Sequence, residues 1–366
     1  MKKVILGTTA LVAASALTAG SASAAEKIKL NVGGYLQTSF IAVDYDNDTN
    51  QLPTDIRHEG EVFFTGSTTL DNGLKFGVNI QLEARETVDQ VDETFMYVSG
   101  SFGRVNVGSE DSAAYLMHYA SPSPVPAWGL NSPNAKASGF ETPATTPNML
   151  GDTDKITYFT PRFSGFQLGA SYTPDGDKET GRTASANNNP YEPTNDEGDA
   201  DEAYSVGVNY VNKFNSVSIK ASLGYQLLTR SGTAEDTDEI GAGIQLGFGG
   251  FTIGGAYKFT DDEGGFDGAE RQNWDIGVTY GQGPWKIGIQ YAGADSDGRD
   301  TGDTNALGAA NIGDGEQHAV VVGGQYVLGP GITAFGGVQF WDGEDDLVGS
   351  EGEDATIFFI GTALSF

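Results

Sequence analysis

The sequence predicts an all-β chain, a transmembrane antiparallel β-barrel of about sixteen strands, from three observations. Beyond the first two dozen residues no apolar run approaches the ~20 residues of a membrane helix, yet many segments alternate apolar and polar with period two. Short turns alternate with long polar loops. The apolar parity carries aromatics at strand ends and aliphatics between them. Phe251, Ile253, Tyr257 and Phe259 share one such face, as do Trp274, Ile276, Val278 and Tyr280, and Trp285, Ile287, Ile289 and Tyr291. Interfacial girdles around a hydrocarbon band require this order. Thr252, Lys258, Asp275, Thr279, Lys286 and Gln290 occupy the opposite parity. A soluble β-sandwich or repetitive adhesin buries its apolar face and needs no aromatic ends. Membrane pelleting separates the two readings, since a soluble protein stays in the supernatant.

Residues 1–24 read as a cleaved export signal: Lys2 and Lys3, an apolar Val4–Ala19 stretch, then Ala22-Ser23-Ala24. The mature chain then starts at Ala25 or Glu26, and 25–366 form the barrel. With no cysteine, disulfides and thiolate chemistry are excluded. Fifty acidic against 20 basic residues give a net charge of −30, the wrong sign for a nucleic-acid partner.

Ile28 to Tyr45 forms the first strand, with Leu30, Val32, Leu36 and Phe40 on one face. Val62, Phe64 and Leu70 mark the apolar face of the second. Asp71-Asn72-Gly73 turns into a strand with Leu74, Phe76, Val78, Ile80 and Leu82 on one side. Asn-Gly favours a hairpin because both residues tolerate positive φ. Strands follow at Glu93–Gly100 and Arg104–Ser109. After a long gap come hairpins over 154–173, 202–228, 239–260, 272–292 and 317–341, and a last strand at Ala355–Phe366. An even strand count puts both termini on the short-turn side.

The gap, Glu110 to Thr153, organises the rest. A stretch of about forty residues without regular structure signals function in a compact chain. It holds Pro122, Pro124, Pro126, Pro133, Pro143 and Pro147, yet also Trp128, Leu130, Phe140 and Met149. Such a segment is expected to fold back against something that covers it.

Several motifs resemble segments of Gram-negative trimeric porins. They are Asp71-Asn72-Gly73-Leu74, Glu93-Thr94-Phe95-Met96-Tyr97-Val98, Gly100-Ser101-Phe102-Gly103-Arg104 and Tyr158 through Phe166. Phe366 closes a strand with Leu364, Ile360 and Phe358 on its parity, similar to the C-terminal sorting signal of outer-membrane barrels. The resemblance implies sixteen strands, a homotrimer in outer-membrane lipid, and a third extracellular loop, here Glu110–Thr153, folded into the lumen. Enteric relatives carry Pro-Glu-Phe-Gly-Gly in that loop, and here only Gly139-Phe140-Glu141 echoes it.

Charge in the lumen is where function is expected. Arg57 and Arg85, with Arg104 and Lys155, form the candidate basic side of a constriction; Glu110, Asp111, Glu141, Asp152 and Asp154 form the acidic side. Opposed rows set up a transverse field that passes small polar solutes. Acidic loops around 196–202, 261–270 and 344–354 favour cations at the mouth. The expected function is passive diffusion of small hydrophilic solutes and ions, cation-preferring. A substrate-specific channel, for example a sugar-selective one using an aromatic slide of Tyr115, Tyr119 and Trp128, is the alternative. No cofactor is expected: Asp44, Asp46 and Asp48, or Asp295 and Asp297, could hold Ca²⁺, but neither run fits an EF-hand, and mutually repelling, solvated loop carboxylates are the better reading. His58, His118 and His318 lie in separate segments with no nearby acid–serine pattern, so no enzyme is expected.

Overall fold

The computed structural model describes residues 27–46, 52–84, 90–126, 128–132, 136–176, 200–297, 315–345 and 354–366. The 1–24 leader, its cleavage point at Ala25 or Glu26, and Asp48, Arg85 and Pro133 lie outside them. The strands are β1 Lys29–Tyr45, β2 Thr54–Thr69, β3 Lys75–Glu83, β4 Val91–Gly100, β5 Gly103–Ser109, β6 Asp154–Phe159, β7 Phe166–Thr173 and β8 Ala200–Phe214. Then follow β9 Val217–Arg230, β10 Thr237–Phe248, β11 Phe251–Asp261, β12 Glu270–Gln282, β13 Trp285–Asp297, β14 Gly315–Gly329, β15 Ile332–Asp345 and β16 Ala355–Ser365. Each pairs antiparallel with its sequence neighbours, and β16 pairs with β1 through Leu36 opposite Leu364. The sheet is a closed barrel of sixteen strands, so no edge is left unpaired.

Several strands outrun their apolar pattern on the long-loop side. Alternation stops near Ala292 and Trp341, yet β13 continues to Asp297 and β15 to Asp345. Ladder hydrogen bonds need no apolar side chains, so pairing persists where the greasy band ends. The turn at Asn72 also differs from expectation. Only Gly73 takes positive φ, at 84°, while Asn72 Oδ1 accepts from Leu74 N at 3.1 Å. Two-residue turns with both φ positive occur instead at Ser164 (49°) and Gly165 (95°) and at Gly249 (56°) and Gly250 (89°).

Outward parity is apolar all round, with Leu30, Val32, Met96, Ile276, Ile287, Ile289 and Ile360 exposed. Aromatic contacts line the short-turn rim: Phe248–Phe251–Tyr280, Phe166–Tyr210 and Trp285–Tyr326. Tyrosines mark the other rim, where Tyr257 donates to Gln272 at 2.9 Å, Tyr172 to Glu202 at 3.4 Å, and Tyr225 to Asp238. Phenol groups with apolar bodies and wet tips suit a membrane interface. Ile289→Arg, between these rims, is expected to cost about 2–4 kcal/mol of folding free energy, read from reversible folding into lipid bilayers.

The inward parity is not uniformly polar. Ile41, Ala319, Val321, Phe335, Trp341, Ile357 and Phe359, from β1 and β14–β16, form a buried apolar seam with Val125, Trp128, Leu130 and Phe140 of the long segment. That segment therefore has an apolar surface to fold against inside the barrel.

Candidate functional site

The segment between β5 and β6 opens with one helical turn, α1 (Ala113–Leu116). The sequence predicts no regular structure here. Ser112 caps the turn, its side chain accepting from Tyr115 N, and Ala113-Ala114-Tyr115-Leu116 carries no helix breaker. From there the chain lies along the inner wall, where side chains replace the ladder it lacks. Ala113 N donates to Ser171 Oγ on β7 at 2.8 Å, Ala114 N to Ser205 Oγ on β8 at 3.0 Å, and Tyr119 N to Ser222 Oγ on β9 at 3.0 Å. Gln245 on β10 donates to Ala120 O at 2.6 Å, and Ser121 N donates to Asp275 Oδ1 on β12 at 2.7 Å. Leu130 N reaches Gln290 on β13 at 3.0 Å, and Gln339 on β15 reaches Trp128 O at 3.1 Å. Glu141 N donates to Gln317 Oε1 on β14 at 3.0 Å, and Ser138 N to the Tyr45 hydroxyl on β1 at 3.0 Å.

Asp275 is the central anchor. Besides Ser121 N, its carboxylate accepts from Asn131 Nδ2 at 3.0 Å and from Thr145 Oγ1 at 2.6 Å. Outgoing and returning arms of the segment thus meet on one buried carboxylate. Its close approach needs small wall residues: a Cβ on Gly243 would stand 2.0 Å from Tyr119 O, and one on Gly224 2.8 Å from Ala114 Cβ. Trp128, 4% exposed, stacks on Phe359 with ring centroids 4.6 Å apart. Trp128→Ala is expected to weaken docking by about 3 kcal/mol, seen as added open-channel noise and faster proteolysis of the segment.

The charged residues arrange differently from two opposed rows. Lys155 is buried at the base of the segment, where its ammonium donates to Gly151 O at 2.7 Å, Thr153 O at 2.8 Å and Glu110 O. It ties the two stems together and does not line a free passage. Arg104 lies beside the β4–β5 turn at the short-turn end, its guanidinium 4.0 Å from the Tyr97 ring centre. Its Nε donates to Asn106 at 2.6 Å, and Asn106 donates to Glu110 at 2.6 Å. Arg57 lies on β2 opposite Ser39, at the long-loop end. Glu141 is fixed to the far wall by Arg271 of β12, which also binds Glu263 at 2.7 Å. No sequence pattern points to Arg271, because its partner lies 130 residues away. Asp154 shares the outward parity of Ile156 and Tyr158, all three exposed, so it faces away from the lumen.

Carboxylates converge instead at the β2–β4 wall. A register shift between Ile80 and Leu82 sets Asp92 and Glu93 of β4 against the single residue Gln81 of β3. Such a bulge re-aims a side chain. Asp92 thereby joins Glu61 and Glu83, while Glu93 joins Asp111 and Asp152 of the inner segment, each triplet with oxygens within 4.8 Å. Gln81 and Asn79 both donate to Glu93. Burial, reinforced by Glu93, pushes the Asp111 carboxyl up to about 7; burial, reinforced by Asp111, pushes Asp152 up to about 8. Among the described residues the convergent carboxylates are these, not Asp44 and Asp46 or Asp295 and Asp297, which are exposed. The expected aromatic slide is not assembled either, since Trp128 is buried in the seam. His58 on β2, His118 beyond α1 and His318 on β14 stand on separate elements, His318 bonded to Glu316 at 2.9 Å.

Comparisons with known proteins fit this architecture. A family model described as Gram-negative porin matches residues 7–346. Among curated proteins, a "Monosaccharide porin" of a Halomonas species and a "Major outer membrane protein" of Halomonas elongata are each 24% identical, over 94% of this chain and 96% of theirs. Among solved structures, an anion-selective porin from Comamonas acidovorans aligns with TM-score 0.63 at 18% identity, covering 93% of this chain and all of that one. OmpT of Vibrio cholerae, in a structure described as its trimer form, aligns with TM-score 0.59 at 13% identity over 93% of this chain and all of that one. The barrel, its apolar outer belt and the family match agree: the chain belongs to the Gram-negative porins, channels of the outer membrane rather than enzymes.

Proposed function

We propose that the protein is a water-filled channel for passive diffusion of small hydrophilic solutes, that the 110–153 segment narrows it, and that it prefers cations. The observation carrying the cation preference is the pair of carboxylate triplets, Glu61–Glu83–Asp92 and Glu93–Asp111–Asp152, on the β2–β4 side. The segment is tied to the wall from β7 round to β1, so the passage runs beside β2–β4 and past both triplets, while Glu93, with a carboxylate oxygen within 4.8 Å of one on each of Asp111 and Asp152, joins the segment to that wall. Of the basic residues read from sequence, Lys155 holds the stems and Arg104 stands below the narrows; Arg57 flanks the outer entrance. Rings of acidic side chains are an established device for cation passage. A reversal potential in a steep KCl gradient tests this, and a potential of anion-selective sign would overturn it.

Sixteen-stranded barrels leave an aqueous channel rather than a filled core. The relative named as a monosaccharide porin supports passage of solutes of that size. Outer-membrane lipid would cover the apolar belt between the two aromatic rims. A homotrimer is the assembly we infer, on the likeness to the trimer form of the Vibrio protein; light scattering in mild detergent measures it. Ca²⁺, as a divalent competitor, would dwell at the same carboxylates and lower K⁺ current.

A further inference from the structure

Below α1, on the short-turn side of the inner segment, lies a cavity of about 480 Å³. That is ample for a small organic molecule. One side is polar and pre-ordered. Arg104, Asn106 and Glu110 run in a chain of 2.6 Å hydrogen bonds, and the Tyr97 ring beneath Arg104 fixes the guanidinium plane. Further along the same wall stand Gln167 of β7 and Asn209 of β8, whose amide oxygens both accept from Arg162 Nη2 at 2.8 Å. The remaining side is apolar, built from Leu116 and Met117 of the inner segment and Phe159 of β6. Gly169 seats that side: a Cβ there would meet Met117 Sδ at 2.6 Å and the Phe159 ring at 2.9 Å. Leu116 nonetheless remains 42% exposed although it lies inside the barrel.

This lining discriminates by chemistry. Of the charged groups lining the cavity one is a guanidinium and one a carboxylate, and Arg162, which does not line it, directs its donors to Gln167, Asn209 and Gly165 O, so the lining presents hydrogen-bonding groups of both kinds rather than a single sign of charge. A hydroxyl both donates and accepts, and so bridges guanidinium, amide and carboxylate in turn. The C–H face of a pyranose ring is apolar and flat enough to cover Leu116 and Phe159. We propose that the cavity is a subsite for a neutral polyhydroxylated solute of monosaccharide size, occupied on the inner side of the narrows. The proposal rests on the open-channel reading given above.

Planar-bilayer recordings in KCl test it, with D-glucose as probe and an uncharged trisaccharide at matched viscosity as control. The quantity read is conductance with sugar divided by conductance without it in the same channel. With glucose the ratio is expected to fall below the viscosity line and to saturate; the trisaccharide should follow viscosity alone. In Leu116→Asp and in Arg104→Gln the half-saturating glucose concentration should rise roughly five-fold or more, the effect of losing one good contact. A glucose response that tracks viscosity in the native channel overturns the proposal, as does an unchanged half-saturation in a variant that inserts. If neither variant inserts, the native glucose-versus-trisaccharide comparison decides. Absence of conductance steps would sink the channel reading itself, a different outcome from steps without saturation.

Discussion

Excising residues 123–143 and joining the arms through a short glycine linker is expected to raise single-channel conductance roughly two-fold or more, because a sixteen-stranded barrel is wide unless something fills it. The cut is feasible since both arms end on one carboxylate, through Ser121 N and Thr145 Oγ1 on Asp275. The same deletion strips Trp128, Leu130 and Phe140 from Val321, Phe335, Ile357 and Phe359. Apolar wall would then face water, so the melting temperature should fall even as conductance rises. An unchanged conductance would show that this part of the segment does not occupy the ion path. Asp275→Ala is the milder companion: it releases both arms at once and should give large, slow current fluctuations rather than a steady increase.

Neutralising one triplet, as Glu93→Gln with Asp111→Asn and Asp152→Asn, is expected to lower the K⁺ over Cl⁻ permeability ratio roughly three-fold or more. The native channel adds a pH signature. Asp111 and Asp152 are pushed up to about 7 and about 8, chiefly by burial and then by neighbouring carboxylates. Both are neutral below those values and charged above them, so cation selectivity should climb as pH rises through the 7–8 window. The triple variant should show a flat profile there. The sign for stability is the reverse. Folded values above the ordinary carboxyl range mean that ionisation opposes docking of the segment, so docking weakens as pH rises from the ordinary carboxyl value of about 4 and levels off once pH passes the 7–8 window. A native selectivity that stays constant over that range would remove these two groups from the ion path.

Much of this was readable from period and parity. Alternation located the strands because a barrel strand has only two environments, and aromatic strand ends fixed which one faces lipid. The limits of the inner segment followed from loss of alternation between Ser109 and Asp154. The charge pattern was not readable in the same way. A single extra residue at the Asp92–Glu93 bulge sends two adjacent carboxylates to one side, which strict alternation forbids. Lys155 has inward parity, as a pore lysine would, yet three backbone carbonyls enclose it. Asp154, next to it, takes the outward parity. Asp275 stood on the inward face by parity, but its part as anchor depends on where Ser121, Asn131 and Thr145 meet in space. The apolar inner faces of β14–β16 likewise make sense only with Trp128 and Phe140 against them.

The seam between the first and last strands bears on how the molecule is made. Gly34 N donates to Phe366 O at 2.9 Å and Phe366 N to Gly34 O at 3.0 Å, so the final residue of the chain is knitted into its first strand. The contact spans nearly the whole polypeptide, the slowest kind to form. Until it forms, β1 and β16 both present unpaired backbone, an invitation to pair with other chains. Closure waits for β16, and a chain lacking only that strand would be left with two sticky edges, β1 and β15, instead of none.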